Sequence, residues 1–156
     1  MTKHYDFIEI GTSDFDTLIE TSDDKTVGLS IEPIRYYLDR LPNKENVKKI
    51  EAAISDNDGF IEIYYIPDEK IQEHNLKWWV RGSNSIGKPH PFALQELGEE
   101  FYNSIVKIEK VPTLSWKTLV EKEEIGSIDY LKIDTEGFDH IILNDYLKCV
   151  MRIQTY

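Results

Sequence analysis

The chain has 156 residues, of which 40% are apolar, enough for one compact core hiding somewhat over about two thirds of the unfolded surface. Its 29 acidic and 18 basic residues leave a net charge of −11, a field that repels phosphate backbones and anionic bilayers, so neither nucleic acid nor a membrane surface is expected as a partner. The single Cys149 offers no intrachain disulfide or thiolate cluster, and the chain shows no targeting leader and no long apolar run, which points to a reducing, cytoplasmic setting.

Residues 5–10 form a short apolar run that stops at Gly11, after which Phe15, Leu18 and Ile19 recur at helical spacing: strand, turn, short helix. Residues 27–31 (VGLSI) place Val27, Leu29 and Ile31 on one face of a second strand. Glu32-Pro33 follows, the proline suited to the first turn of a helix striped by Ile34, Tyr37, Leu38 and Leu41 and ended by Pro42-Asn43. Residues 47–54 (VKKIEAAI) read as a third strand and 60–66 as a fourth, joined through the turn cluster SDNDG as a hairpin added to a parallel core. From residue 67 to about 101 periodicity gives way to a breaker-rich stretch with Gly82, Gly87, Pro89 and Pro91, a connection long enough to be functional or mobile.

Residues 104–115 (SIVKIEKVPTLS) return to strand, with Pro112 suggesting an edge or an end. Ser115 suits the cap of a helix carrying Trp116, Leu119 and Val120, which ends in a solvated EKEE run and closes at Gly126. Residues 128–133 (IDYLKI) form the next strand and DTEG its exit turn; Phe138, Ile141, Ile142 and Tyr146 stripe the following helix. Residues 150–156 look like the opening of one more strand. The alternation predicts a single α/β domain over residues 1–156, a mostly parallel sheet with helices on both faces whose C-terminal strands are shortened or missing. An exposed late strand would favour self-association.

Ligands of open α/β sheets bind outside the carboxyl ends of the strands. Three such ends are polar here: EIGTSD at 9–14, Glu32, and Asp134-Thr135-Glu136. Glu32, about 20 positions past the first turn, is placed to accept hydrogen bonds from ribose hydroxyls. The first turn, however, has one glycine and the acids Glu9, Asp14 and Asp16, the wrong sign for a dinucleotide pyrophosphate. S-adenosylmethionine brings the same adenosine, no phosphate, and positive charge at sulfonium and ammonium. The same carboxylates would equally serve as ordinary cap and turn residues.

The ordered segments FIEIGTSDFD, GLSIEP, KIEAAISDNDGFIEIYY, RGSNSIG and VPTLSWKTLVEKEEIGSIDYLKIDTEGFDHIIL resemble the FkbM family of S-adenosylmethionine-dependent methyltransferases over residues 5–148. The most specific part is LKIDTEG (131–137) behind VPTLSWKTL, followed by Glu32-Pro33. The resemblance implies a Rossmann-like class I methyltransferase fold with a seven-stranded sheet, S-adenosylmethionine as cofactor, and methyl transfer to a hydroxyl of a sugar or other small metabolite. It implies Glu9, Gly11, Thr12 and Ser13 along the methionine portion, Glu32 at the ribose, residues 53–55 (Ala53 to Ser55) at the adenine edge and Asp134 beside the sulfonium, with Asp14 and Pro33 also among the cofactor contacts. Phe15 stands where the family commonly has a second glycine.

A base for the acceptor hydroxyl is expected at Asp134 or Glu136, on the strand exit, ahead of His140 and His90. Trp78, Trp79, Arg81, Ser83, Asn84 and Ser85, with His90, are the expected acceptor contacts, since aromatic faces and small polar groups suit a carbohydrate; a core-covering loop anchored by tryptophan is the other reading. No resident metal is expected on this reading, and two alternatives stay open. One is a fold-retaining binding module without cofactor; the other is a hydrolase using a divalent ion at Asp134, Glu136, Asp139 and His140.

Overall fold

The computed structural model describes residues 1–153. The chain runs β1 (Lys3–Ile10), α1 (Leu18–Thr21), β2 (Gly28–Ile31), α2 (Arg35–Arg40), β3 (Val47–Ile50) and β4 (Ala53–Ser55). It continues through β5 (Gly59–Tyr65), α3 (Asp68–Glu73), a 3-10 turn (Trp78–Gly82), β6 (Ser85–Ile86), α4 (Pro91–Leu97) and α5 (Glu99–Ile105). β7 (Lys107–Ser115), α6 (Trp116–Glu123), β8 (Ile125–Ile133) and α7 (Asp139–Ile153) follow.

Two four-stranded sheets result among the described residues, in place of the one seven-stranded sheet that the resemblance implies. The first, ordered β3-β2-β1-β8, is parallel throughout. The pleat of β1 sends Ile8 and Ile10 to one side, where they pack with Leu29, Ile31, Trp116, Leu119 and Ile142. Phe7 goes to the other, against Ile19, Leu38, Leu41 and Val47. Helices α6 and α7 thus cover one face and α1 and α2 the other, as a parallel sheet buried on both sides requires. Phe7 pairs with Gly28 of β2, where a Cβ would stand 2.4 Å from its ring, so the glycine gives the phenyl its seat. Fully buried Trp116 meets Tyr146 edge-on at 4.9 Å between centroids, locking α6 to α7.

The second sheet, ordered β4-β7-β5-β6, mixes one parallel pair with two antiparallel ones. This departs from the sequence reading. Residues 47–54 are not one strand: the buried Ala52 and Ala53 let the backbone cross closely from β3 in one sheet to β4 in the other. Nor do the third and fourth strands form a hairpin, because β5 pairs antiparallel with β7. Pro112 is at an edge only in part. Residues 107–112 of β7 are paired on the β5 side, and β4 joins from Thr113 onward, so the proline falls just before the strand becomes central.

The long breaker-rich connection is also more ordered than its periodicity suggests. Ile66, Val80, Ala93, Tyr102 and Ile105 converge into a third cluster that pins α4, α5 and the 3-10 turn. Helix α6 closes not at Gly126 but at Glu124, which takes the left-handed conformation (φ 57°). Residues 150–153 are the last turn of α7 and not a strand; 154–156 lie outside the described residues. Among the described strands β8 pairs only with β1, leaving its other edge open, and no described helix is long and apolar enough to cross a membrane.

Candidate functional site

The carboxyl ends of β1, β2 and β8 meet at Gly11. Its amide donates to Ile31 O at 2.9 Å and the Asp134 amide to Ile10 O at 3.0 Å, which draws the two strand exits together. Gly11 has φ +79°, and a Cβ there would lie 2.1 Å from the Asp134 carbonyl oxygen. Only glycine lets these ends abut.

Three acids of the first segment do three different things. Glu9, 1% exposed, faces the α1 side of the pleat; its carboxylate accepts from the Leu18 and Ile19 amides at 2.7 and 3.2 Å and from Ser30 Oγ at 2.7 Å. It caps α1 and does not line the cleft, contrary to the sequence expectation. The Asp14 side chain, 3% exposed, is also turned away from the cleft. It pairs with Arg40 Nε at 2.6 Å and with Arg81 Nη2, and both guanidiniums also face Asp68, at 3.8 and 3.3 Å.

Glu32 is the carboxylate that does reach the cleft. Buried at the end of β2, it accepts from the Ser13 amide at 2.7 Å through one oxygen and from the Ile34 amide at 3.0 Å through the other. Burial pushes its pKa up to about 7, against the lowering effect of the two amides, and the nearby Asp14 charge adds to the rise. Each oxygen keeps lone-pair capacity for a further donor.

The cleft itself is open to solvent at its mouth. One wall is polar, from Thr12, Ser13, Glu32 and Asp134; the other is apolar, from Pro33, Ala52, Ala53, Ile54 and the cross-strand pair Ile63–Ile86. Gly82, Asn84 and Ser85 close the far side. Its charged lining residues, Asp16, Glu32, Asp134 and Glu136, are all acidic. Ser13 Oγ and Asn84 Oδ1 are buried with no hydrogen-bond partner among the described residues, polar atoms waiting for a ligand or water. Ser13, Asp16 and Glu136 hold left-handed backbone (φ 49°, 54° and 53°), a conformation that persists only where surroundings enforce it and that gathers at functional sites.

A second, wider cleft adjoins the first and shares Phe15, Gly82 and Glu136 with it. Its walls are aromatic: Trp78, Trp79, Phe92 and Phe15, with Trp79 and Phe92 at 4.9 Å between centroids. Arg81, Ser83 and His90 supply the remaining polar atoms, alongside Glu136. His90 begins α4, its Nδ1 accepting from the Ala93 amide at 3.3 Å, and its Nε2 stands 3.7 Å from Glu136 Oε2.

Of the residues expected at the adenine edge, Ala53 lines the cleft, but Ser55 is buried outside it, bonded to Asp56 Oδ1 at 3.2 Å. Of the expected acceptor contacts, Trp79, Arg81, Ser83 and His90 share the second cleft, whereas Asn84 and Ser85 line the first. Asp134 and Glu136 are exposed at its rim. Of the three acids singled out in the first turn, Asp16 lines the cleft, and sequence reasoning missed Ala52, Ile63, Ile86 and Phe92. The strand alternation of Ile61 and Ile63 was the one available signal for the Ile63 wall. The alternative metal set does not assemble among the described residues: Asp139 Oδ1 accepts from the Thr135 amide and hydroxyl, bracing the turn before α7, and Asp134, Glu136, Asp139 and His140 do not gather their ligating atoms at one point. The cluster of ligating type among the described residues is instead His4, Asp6 and Asp129, on the far-from-cleft flank of β1 and β8.

Comparison with curated proteins and with solved structures found no match. The family model described as the methyltransferase FkbM domain, by contrast, matches residues 8–155, which takes in every element around both clefts. The chain with this acid-lined cleft at its strand ends belongs to the FkbM methyltransferase family.

Proposed function

We propose that the protein is an S-adenosylmethionine-dependent O-methyltransferase with a Rossmann-like class I arrangement, acting on a hydroxyl of a sugar or other small metabolite. The observation that carries this reading is the first cleft: an acid-only set of lining charges, a buried Glu32 carboxylate with free acceptor capacity, and two unpartnered polar atoms, facing an apolar wall. Glu32 would accept the ribose hydroxyls, and Pro33, Ala53, Ile54, Ile63 and Ile86 would hold the adenine. Thr12 and Ser13 would serve the amino-acid portion, and Asp16 and Asp134 the positive charge. When bound, the cofactor supplies an electrophilic methyl group on a cationic sulfur, which keeps the bond pair on transfer.

The chain's own contribution is positioning and proton handling. Glu136 and Asp134 stand at the strand exit, where a carboxylate can take the acceptor proton, an effect typically worth about 100-fold to 10,000-fold. The aromatic residues around Phe15 would exclude water once both clefts are filled.

Calorimetric titration with S-adenosylmethionine, S-adenosylhomocysteine and NAD tests the reading. The two sulfur ligands are expected to bind at micromolar concentration, NAD is expected not to, and Glu32→Ala should weaken binding about 10-fold to 100-fold, the value of hydrogen bonds to a charged acceptor. A folded protein that binds neither sulfur ligand would instead be a binding module on this fold.

A further inference from the structure

We propose that the second cleft takes an uncharged, polyhydroxylated acceptor and receives its reacting hydroxyl between the Nε2–H of His90 and the carboxylate of Glu136. The proposal deepens the methyltransferase reading and rests on it.

The tautomer of His90 follows from its cap. Nδ1 accepts a hydrogen bond from the Ala93 amide, so in the neutral ring Nδ1 carries the lone pair and Nε2 carries the proton. His90 is therefore a donor toward the cleft and not the base that its residue type suggests. Its Nε2 stands 3.7 Å from Glu136 Oε2, too far for a direct hydrogen bond; an oxygen bonded to both at about 2.8 Å fits once the pair opens to about 4.5 Å. A hydroxyl placed there accepts from His90 and donates to Glu136. On reaction its O–H bond would break toward Glu136 Oε2, leaving a carboxylic acid, while the freed pair on oxygen forms the bond to the methyl carbon and the methyl–sulfur bond breaks with its pair left on sulfur. Glu136 is suited to this by place, since it lines both clefts on a left-handed backbone.

The charge of the acceptor follows from Arg81. It is the guanidinium among the described residues lining the second cleft, and it is already engaged with the buried Asp14 and with Asp68, while its face lies over Tyr37 at 5.8 Å. The two carboxylates of Asp14 and Asp68 balance the two guanidiniums of Arg40 and Arg81, which leaves no surplus positive charge to bind a phosphate or carboxylate, and Glu136 repels one. What the cleft does offer is aromatic surface held in water: Trp78 is 87% exposed, Phe92 50% and Phe15 48%. Flat apolar faces next to a paired donor and acceptor match the C–H face and hydroxyl rim of a neutral sugar ring.

The test uses the whole chain saturated with S-adenosylhomocysteine, whose binding is first measured by calorimetry. Tryptophan fluorescence then follows titration with methyl α-glucoside, methyl α-mannoside and methyl β-galactoside, each beside its uronate or 6-phosphate counterpart. At least one neutral glycoside should bind, and its anionic counterpart at least 10-fold more weakly. His90→Asn, which keeps an acceptor near Nδ1 but removes the Nε2–H, should lower glycoside affinity about 2-fold to 10-fold, the worth of one hydrogen bond. His90→Gln, which returns a donor near Nε2, should restore it. Nitrogen-15 histidine spectra should show His90 as the Nε2–H tautomer at pH 8. Tighter binding of the anionic probes, no binding by any neutral glycoside, or an Nδ1–H tautomer would overturn the proposal while bound S-adenosylhomocysteine leaves the methyltransferase reading standing. Failure of S-adenosylhomocysteine itself to bind would remove both.

Discussion

Replacing Glu32 with glutamine should change how stability depends on pH more than it changes stability at any one pH. With the folded pKa raised by burial to about 7 and an ordinary value of 4.5 in the unfolded chain, the native state binds this proton more tightly. The contribution is therefore full below about pH 4.5 and lost as pH rises through about 7. Integrating the linkage from pH 5.5 to 7.5 gives a loss of about 2 kcal/mol that wild type has and Glu32→Gln lacks. The offset from the new amide, which can accept from only one of the Ser13 and Ile34 N–H groups, is the same at every pH and cancels in the difference. Urea unfolding of both proteins across that interval, without cofactor, measures it. Parallel curves, with a difference constant to within about 0.5 kcal/mol, would refute the raised pKa and the desolvation behind it. On the proposed reading the same ionisation governs affinity. Ribose hydroxyls donate to the charged form, so S-adenosylhomocysteine should bind about 30-fold more weakly at pH 5.5 than at pH 8, a dependence that glutamine abolishes.

Perturbations at four further positions separate the elements that build the site and its core. Gly11→Ala places a Cβ 2.1 Å from the Asp134 carbonyl oxygen at φ +79°; the left-handed backbone alone costs about 1–2 kcal/mol, the clash adds to it, and both urea midpoint and cofactor affinity should fall. Asp14→Ala leaves Arg81 and Arg40 short of their shared buried partner and should cost about 2–3 kcal/mol, below the fully buried range because Arg40 can turn to water. Arg40→Ala, at a half-exposed guanidinium, should cost less than about 1 kcal/mol by the same unfolding assay, and equal costs would contradict the ranking. Trp116→Ala removes a side chain 1% exposed and packed on Tyr146 and should destabilise by about 3–5 kcal/mol, with a smaller loss for Trp116→Phe.

The parallel core was legible because its signals are local. Apolar runs of β1, β2 and β8, a Ser115 cap and the stripes of α2 and α7 each fall within a few residues. What escaped was set by distance. Nothing in VKKIEAAI marks where one strand ends and another begins, since the break at Ala52 is decided by β7, some sixty residues on, which recruits β4 to a different sheet. The 3-10 turn and α4 were hidden because Val80 and Ala93 meet Tyr102 and Ile105 only in three dimensions. At the site, Gly11, Thr12, Ser13, Glu32, Pro33 and Asp134 come together where strand ends were expected to place them. Glu9 and Asp14 could not be told from Glu32 by type: the pleat and two distant arginines decide which carboxylate is left with free lone pairs.

That sorting gives the net charge its meaning. A balance of −11 bears on a ligand only through the acids that reach it; Glu9 is occupied in capping α1, and Asp14 and Asp68 are paired with arginine. The acids that remain at the first cleft are four, Asp16, Glu32, Asp134 and Glu136, and no cation lines it among the described residues. Arg81, the guanidinium that lines the neighbouring cleft among the described residues, is already paired with Asp14 and Asp68 and so has no free charge to recruit an anion there. One buried ion cluster thus neutralises the guanidinium at the second cleft, while the first keeps an all-acidic charged lining whose Asp16 is met by Lys132 at 4.0 Å; on the proposed reading, this one arrangement of side chains would favour a cationic cofactor in the first and a neutral acceptor in the second.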